Sequence, residues 1–189
     1  MVELVTEAVV FDKEDLGESD SRIFLYTRDL GKIIAKAKSA RKITSKLAAH
    51  LQPLNYITVR LAAKKDFDGR GFQITDALLR NEAPNSRINN SDNLKKAIKI
   101  VRLINLAVPE NTPDQALWNF IYQLSAGEGN FKLSDAFQLL GFNPAFASCE
   151  LCGKGKPDYF FGEKEIFVCR TCGSGLGAPR QENFISVND

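Results

Sequence analysis

The stretch SRIFLYTRDLGKIIAKAKS, residues 21–39, decides the fold of the N-terminal part of the chain. Apolar side chains alternate along residues 21–27, with Ile23 and Leu25 against Phe24 and Tyr26, a pattern typical of a half-buried strand. Gly31 then breaks the chain, and residues 32–39 continue as a further strand. The stretch therefore predicts two strands joined by a short turn.

Three further strands and one short helix are predicted around this pair. The segment TSKLAAHL, residues 44–51, has helix formers and a spacing that suit one or two helical turns. Turn residues, DFDGRG at 66–71, precede the last strand. The three strands are residues 2–11, 56–64 and 72–79. Five short strands with one inserted helix fit a small Greek-key barrel of the OB type, and a plain antiparallel sandwich is the alternative.

The hydrophobic periodicity then changes to the three-four spacing of helices. Ser91, Thr112 and Ser134 are the predicted starts of three helices, with Pro113 at the first position of the second. Their apolar faces are Leu94, Ala97, Ile98, Val101, Ile104 and Val108, then Ala116, Leu117, Phe120, Ile121 and Leu124, then Ala136, Phe137 and Leu140 before Gly141. We predict an α+β chain with an OB-fold barrel in residues 1–80 and a helical domain in 81–189, divided at the polar loop 81–90.

All four cysteines of the chain stand in two Cys-x-x-Cys pairs, Cys149/Cys152 and Cys169/Cys172, with sixteen residues between them. A two-residue gap turns both thiolates of a pair toward one point, and two such pairs make a tetrahedral S4 site that suits Zn²⁺. The intervening YFF and EIFV predict a hairpin that turns at Gly162. This arrangement indicates a zinc-ribbon-like module spanning residues 149–172.

Other uses of the cysteines fit the pattern less well. A redox pair normally lies within a βαβ pattern, which the sequence lacks, and a catalytic zinc keeps an open position that four cysteines would fill. Gly153 and Gly173 follow the second cysteine of each pair, where a metal knuckle needs a permissive backbone. One structural Zn²⁺ is therefore predicted, and its binding would supply the folding energy of a ribbon with almost no core.

Charge is distributed unevenly although the formal net charge is only +2. Residues 1–20 carry seven acids and one base, whereas residues 22–46 carry eight bases and one acid. Lysines and arginines in such a run can displace counterions from nucleic-acid phosphates, which makes binding dependent on salt. A solvated basic face is the alternative. Nearby Phe24, Tyr26 and Tyr56 either stack on bases or belong to the core, and we favour the core for each taken singly.

Several classes of protein lack support in the sequence. The N-terminus has no signal-peptide pattern, and no apolar run approaches the length of a membrane helix, so we expect a cytoplasmic protein with no membrane partner. His50, the only histidine, has no evident acid or nucleophile beside it, so packing or hydrogen bonding is its expected role. Nothing in the pattern favours an enzyme.

The chain resembles the bacterial RecO family of recombination mediators in three stretches. EAVVFDKEDLGESDSRIFLYTRDLGKI at 7–33 is similar to the family's first two strands, and AKAKSARKITSKLAAHLQPLNYITVRL at 35–61 is similar to its basic segment and fourth strand. LLGFNPAFASCELCG at 139–153, with FVCRTC at 167–172, is similar to its entry into the zinc module. Family members continue as helices after the second cysteine pair, where this chain has 17 residues that read as irregular.

The resemblance implies a function in recombinational DNA repair. It implies an OB domain that binds single- and double-stranded DNA and anneals complementary strands. It further implies action with RecR, and often RecF, to load RecA onto DNA coated by the single-stranded-DNA-binding protein, in association with the nucleoid. The positions that it assigns to DNA contact are Lys36, Lys38, Arg41, Lys42 and Lys46, with Arg22, Arg28 and Lys32 as weaker additions. It assigns the four cysteines to the metal.

Two other functions compete with this one. A zinc-ribbon and OB protein that serves RNA or transcription would share the same modules, and a preference for RNA would distinguish it. A thiol enzyme that uses one Cys-x-x-Cys pair would have freely reactive thiols and no metal.

Overall fold

The computed structural model describes residues 2–63, 71–80, 91–127, 129–176 and 183–187. Five strands form a closed barrel in the order β1-β2-β3-β5-β4, in which β1 pairs with both β2 and β4. Only β3 and β5 run parallel, over the short register from Ala35↔Phe72 to Ala37↔Ile74. The strands are β1 (Val2–Leu16), β2 (Asp20–Thr27), β3 (Gly31–Ala37), β4 (Tyr56–Ala63) and β5 (Phe72–Leu79). The predicted OB-type barrel is therefore confirmed.

Strand alternation places one set of side chains inside the barrel. Ile23 and Leu25 of β2 and Ile33 of β3 are buried there with Val59 and Leu61 of β4. β1 runs five residues beyond its predicted end, because residues 12–16 pair with β2 after a register shift between Val10 and Asp12. That polar extension carries no apolar alternation, so the sequence pattern does not reveal it.

The connection from β3 to β4 differs from the prediction. Residues 44–51 form consecutive turns rather than a helix. One hydrogen bond, from Leu51 N to Leu47 O at 3.1 Å, has helical spacing, and the His50 N bond to Leu47 O closes a tighter turn. The predicted turn at 66–70 and the boundary loop at 81–90 lie outside the described residues, so the division into two domains stays a prediction.

Three helices follow the barrel: α1 (Ser91–Ala107), α2 (Gln115–Ala126) and α3 (Leu133–Leu139). The predicted start of α2 was two residues early, because Asp114 caps it by accepting a hydrogen bond from Leu117 N at 2.7 Å. α3 begins one residue before the predicted Ser134, and Lys132 N donates to Asp135 Oδ2 at 3.0 Å. Gly141 then adopts a φ of 83° past the end of α3, as a helix-ending glycine does.

The buried face of α1 is rotated from the predicted one. Ile100 and Leu103 are buried together with the predicted Ala97, Val101 and Ile104. Leu94 and Ile98, which the pattern placed on the apolar face, are 37% and 45% exposed. The helix packs on the barrel as well as on its helical neighbours, and this second contact selects a face that periodicity alone does not determine.

The C-terminal module is a three-stranded sheet of order β7-β6-β8. Its predicted hairpin is present as β6 (Tyr159–Phe161) and β7 (Ile166–Val168), followed by a short helix, α4 (Arg170–Gly175), and β8 (Phe184–Ser186). The end of the chain was expected to be irregular, but Phe160 of β6 pairs with Ile185 of β8. A three-residue strand is too short to show a period, which is why it escaped the sequence pattern.

The barrel and the helices share one apolar cluster. On the outer side of the barrel, Val9, Phe11, Tyr26 and Tyr56 pack with residues of α1 and α2. We call this contact between the barrel and the helical region the seam. Polar contacts also hold it: the Tyr26 hydroxyl accepts a hydrogen bond from Asp114 N at 3.1 Å. The Lys32 ammonium donates to Asn105 O at 2.7 Å, and Asn111 N donates to Lys32 O at 2.8 Å.

Gly31 lies at the tightest point of this seam. It has a φ of +69°, and a Cβ there would overlap the Thr112 carbonyl and lie 2.7 Å from Pro113 N. Both neighbours are backbone atoms, so neither can move aside by changing a rotamer. The glycine is required for conformation and for space.

We expect Gly31→Ala to lower the free energy of unfolding by more than about 2 kcal/mol, since a left-handed φ alone costs about 1–2 kcal/mol for a residue with Cβ. Gly17→Ala is the matched control, because Gly17 has a φ of +66° but a Cβ added to it would meet nothing within 4 Å. Urea unfolding of both variants measures the difference. Equal losses would show that the seam tolerates the extra atom.

Candidate nucleic-acid surface and metal centre

The four cysteine sulfurs converge at one end of the C-terminal sheet. All four Sγ atoms lie within 4.8 Å of one another, and those of Cys152 and Cys169 are 3.9 Å apart. A tetrahedral site with Zn–S bonds of about 2.3 Å has sulfurs about 3.8 Å apart, whereas a disulfide needs about 2.05 Å. The donor set and its spacing therefore fit a metal ion with four thiolate ligands.

The two knuckles are built alike and end differently. Gly153 N donates to Cys149 O at 2.7 Å, and Gly173 N donates to Cys169 O at 2.8 Å. Gly153 has a φ of +68°, as the permissive position predicted. Gly173 continues into α4 and does not have a positive φ, so the predicted need for a glycine there was wrong in conformational terms.

The polar surroundings favour a thiolate at Cys149 but not at Cys172. Burial works against charge on Cys149, but N–H groups of Cys169, Cys152 and Leu151 outweigh it and lower the pKa of that thiol to about 6. The pKa of Cys172 is raised to about 12, because its thiol is hydrogen-bonded to the other three sulfurs, most strongly to that of Cys169. One thiolate thus forms readily while the crowding of sulfurs resists a full set of charges. A cation at the centre of the cluster would relieve that repulsion.

The metal end of the sheet is joined to the helical core by aromatic rings. Phe160 of β6 is fully buried, with its ring centroid 5.5 Å from that of Phe137 in α3 and 4.9 Å from that of Phe142. Phe167 of β7 lies 5.3 Å from Phe160. The strands that carry these rings are three residues long, and they are held by their pairing with each other and with β8 and by this aromatic packing.

Four of the eight cations of the basic segment lie beside acids of the N-terminal run. Arg22 pairs with Glu14 at 3.4 Å, and these two residues are direct partners in the β1–β2 register. The other pairs are Arg28–Glu7 at 3.1 Å, Lys36–Asp20 at 2.8 Å and Arg41–Asp15 at 3.1 Å. The contrast between an acidic and a basic segment therefore becomes a set of neutral pairs on the barrel surface.

Glu7 and Asp20 are the best held of these acids. Glu7 accepts from the Tyr56 hydroxyl at 2.6 Å and lies beside Arg28 and Arg80, and these contacts keep its pKa below the ordinary value. Asp20 has a lowered pKa because of Lys36 and because Ser39 N donates to its carboxylate at 2.8 Å. Both carboxylates are thus ionised partners across the neutral pH range.

Three predicted DNA contacts remain as unbalanced charges. Lys38, Lys42 and Lys46 are exposed on the connection between β3 and β4 and form no ion pair within the described ranges. Lys32 is different, because its ammonium is bound to Asn105 O at the seam and burial lowers its pKa. Among the described residues, the eight candidates therefore divide into three cations without an ion pair, four paired ones and Lys32 at the contact between barrel and helices.

The aromatic candidates belong to the core. Tyr26 is fully buried and Tyr56 is 5% exposed, each in the cluster between barrel and helices, and Phe24 packs against the same cluster. The alternative in which these rings stack on bases is wrong for Tyr26 and Tyr56, because α2 covers them. Tyr56 and Tyr122 of α2 have ring centroids 5.1 Å apart.

His50 is half-buried and lies within the connection between β3 and β4. Its backbone carbonyl accepts a hydrogen bond from the Asn55 side chain at 2.9 Å, while its Nδ1 is buried without a partner in the described part of the chain. No carboxylate or thiol contacts it there. Its placement agrees with a packing role.

A closed OB barrel with free cations on one connection, followed by helices and a four-cysteine sheet, defines a class of barrel proteins with a metal-binding helical region. Comparisons with known proteins identify the family. The model described as recombination protein O N terminal matches residues 1–69.

No helix in the described ranges is both long and apolar enough to cross a membrane.

Curated relatives match almost the whole chain. A DNA repair protein RecO of Dehalococcoides mccartyi is 30% identical over 96% of this chain and 75% of its own length. The proteins of the same name from Caldanaerobacter subterraneus and Myxococcus xanthus are 28% and 29% identical, each over 71% of its length. The chain belongs to the RecO family of DNA repair proteins.

We expect the purified protein to carry one Zn²⁺ per chain, measured by native mass spectrometry together with elemental analysis. Cys149→Ser and Cys172→Ser should each lose the metal and loosen β6 and β7, because structural zinc supplies folding free energy. Glu150→Gln, in the same knuckle but outside the ligand set, should keep it. A fully folded, metal-free protein with freely alkylated thiols would contradict the assignment.

Proposed function

We propose that this chain is a DNA-binding recombination mediator without catalytic turnover. Membership of the RecO family supports the role in repair. The observation that carries the binding surface is the set Lys38, Lys42 and Lys46 on one exposed connection of an OB barrel, none of which has an ion pair among the described residues. In this fold the face of strands 2 and 3 and the loop between strands 1 and 2 commonly bind single-stranded nucleic acid. The connection lies beside that loop, because Arg41 N donates to Ser19 O at 3.0 Å.

Electrostatics favours these three lysines over the paired cations. A phosphate that approaches Arg22 or Arg28 has to compete with a carboxylate at 3.4 or 3.1 Å. A phosphate that approaches Lys38, Lys42 or Lys46 displaces only water and counterions. The paired Lys36 and Arg41 lie next to these lysines in sequence and form an outer part of the same surface. To bind a phosphate, each of them first has to give up its contact with a carboxylate.

The remaining parts of the proposal follow from the family. We infer annealing of complementary strands, loading of RecA together with RecR on DNA coated by the single-stranded-DNA-binding protein, and location in the cytoplasm with the nucleoid. The metal, which we propose to be Zn²⁺, has a structural role, because four thiolates leave no coordination position for a substrate. Lys32 has a structural role at the seam.

The triple variant Lys38→Ala, Lys42→Ala, Lys46→Ala tests the surface. We expect single-stranded DNA binding to weaken at least tenfold near 0.1 M salt, and the slope of log K against log salt to become shallower by about 2, since each lost phosphate contact removes about 0.7. Fluorescence anisotropy at several salt concentrations measures both. Annealing of strands coated with the single-stranded-DNA-binding protein should slow in parallel.

A second triple variant, Lys132→Ala, Lys154→Ala, Lys164→Ala, removes the same charge from exposed positions outside the barrel. It should retain the salt slope of the unmodified protein. Equal losses in the two triple variants would reduce the effect to net charge and contradict a specific surface. A strong preference for RNA over DNA of the same sequence would instead support the RNA-associated function.

A further inference from the structure

Ile43 is the most exposed large apolar side chain in the described part of the protein. It is fully exposed to solvent, whereas Val5 on the barrel wall is 55% exposed. Single exposed apolar residues are common on protein surfaces, so exposure alone assigns no role. What sets Ile43 apart is its position between the free lysines, directly after Lys42 and three residues before Lys46.

The backbone around Ile43 is a tight projecting turn. Ser45 N donates to Lys42 O at 2.9 Å, which places Ile43 and Thr44 at the two corners of a β-turn. The preceding turn is closed by Lys42 N, which donates to Ser39 O at 3.2 Å. Two consecutive turns of this kind point the Ile43 side chain away from the barrel.

The base of the projection is fixed to the β1–β2 hairpin. Arg41 N donates to Ser19 O at 3.0 Å, and the Arg41 guanidinium donates to Gly17 O at 2.8 Å. Asp15 pairs with the same guanidinium. Ile43 is thus held two residues beyond a bound arginine, so the loss of entropy on binding a ligand is reduced.

Apolar neighbours on the same connection found places in the core. Ala40 and Leu51 are fully buried in the barrel cluster, and Leu47 packs against it. The connection therefore offers buried positions, and Ile43 does not occupy one. Surfaces that bind a single nucleic-acid strand combine cations for the phosphates with aromatic rings on which the bases stack. An exposed branched side chain between cations offers a base a smaller apolar contact in the same place.

We propose that Ile43 is a base-contacting residue, which packs against an unstacked base of a bound DNA single strand while Lys42 and Lys46 contact the phosphates on either side. The assignment rests on the proposed DNA-binding function and adds a contact that does not depend on charge. It predicts that the protein distinguishes a strand that carries bases from one that lacks them.

The test compares Ile43→Ala, Ile43→Leu and the matched control Val5→Ala on two oligonucleotides. One is a thymidine tract that carries a single 2-aminopurine, and the other has the same number of phosphates but abasic positions throughout. We expect Ile43→Ala to bind the base-bearing strand roughly three- to tenfold more weakly with an unchanged salt slope, and to reduce the 2-aminopurine fluorescence change. On the abasic strand Ile43→Ala and the unmodified protein should bind equally, and Ile43→Leu and Val5→Ala should match the unmodified protein on both strands.

The outcomes separate this inference from the function beneath it. Equal binding of the base-bearing strand by Ile43→Ala and the unmodified protein, or the same loss on both strands, overturns the base contact and leaves DNA binding intact. No binding of either strand by the unmodified protein overturns the proposed function and the base contact with it. Thermal unfolding should be the same for the Ile43 variants, because the side chain packs on nothing in the described structure.

Discussion

The contact of Gly31 with the Thr112–Pro113 backbone is the constraint on which the arrangement of the molecule depends. Because the glycine has no Cβ, the β2–β3 turn can approach the segment that leads into α2. The next residues of that segment are then fixed at once: Asp114 N donates to the Tyr26 hydroxyl while the Asp114 carboxylate caps α2. Asp114 thus both contacts the barrel and starts α2, so the position of α2 on the barrel is fixed at its first turn.

The strand register, and not the separation of acidic and basic segments along the sequence, determines which charges are neighbours on the barrel surface. The row Glu14, Arg22 and Lys36 crosses β1, β2 and β3, so one acid lies beside two bases, and Asp20 neutralises the second. Exposed ion pairs such as Arg22–Glu14 contribute only about 0.2–1 kcal/mol each, so they add little to stability. Their larger effect is to neutralise four of the eight cations of the basic segment, so that its exposed cations without an ion pair among the described residues lie on the β3–β4 connection.

Sequence patterns succeeded where the structure is determined locally. Alternation and strand-forming composition predicted the five barrel strands, and the Cys-x-x-Cys spacing predicted which sulfurs would meet at Cys149, Cys152, Cys169 and Cys172. The core position that we favoured for Tyr26 and Tyr56 is also confirmed. The patterns failed where a distant partner decides: β8 exists because it pairs with β6, and Leu94 and Ile98 are exposed because the barrel selects another face of α1. The ion pairs could be predicted in part from the sequence, since a hairpin that turns at Gly17 brings Glu14 opposite Arg22.

The four-cysteine sheet and the proposed DNA surface rest on different cores, because the barrel strands carry one core on each side. Residues such as Ile23, Leu25 and Leu61 pack inside the barrel without help from the helices. The connection that bears Lys38, Lys42 and Lys46 is fixed to that interior through Ala40 and Leu51 and to the β1–β2 hairpin through Arg41. Loss of the metal would loosen β6 and, through Phe160, the helical cluster. This loosening would affect the connection only if the contact at Gly31 separated and the closed barrel also unfolded.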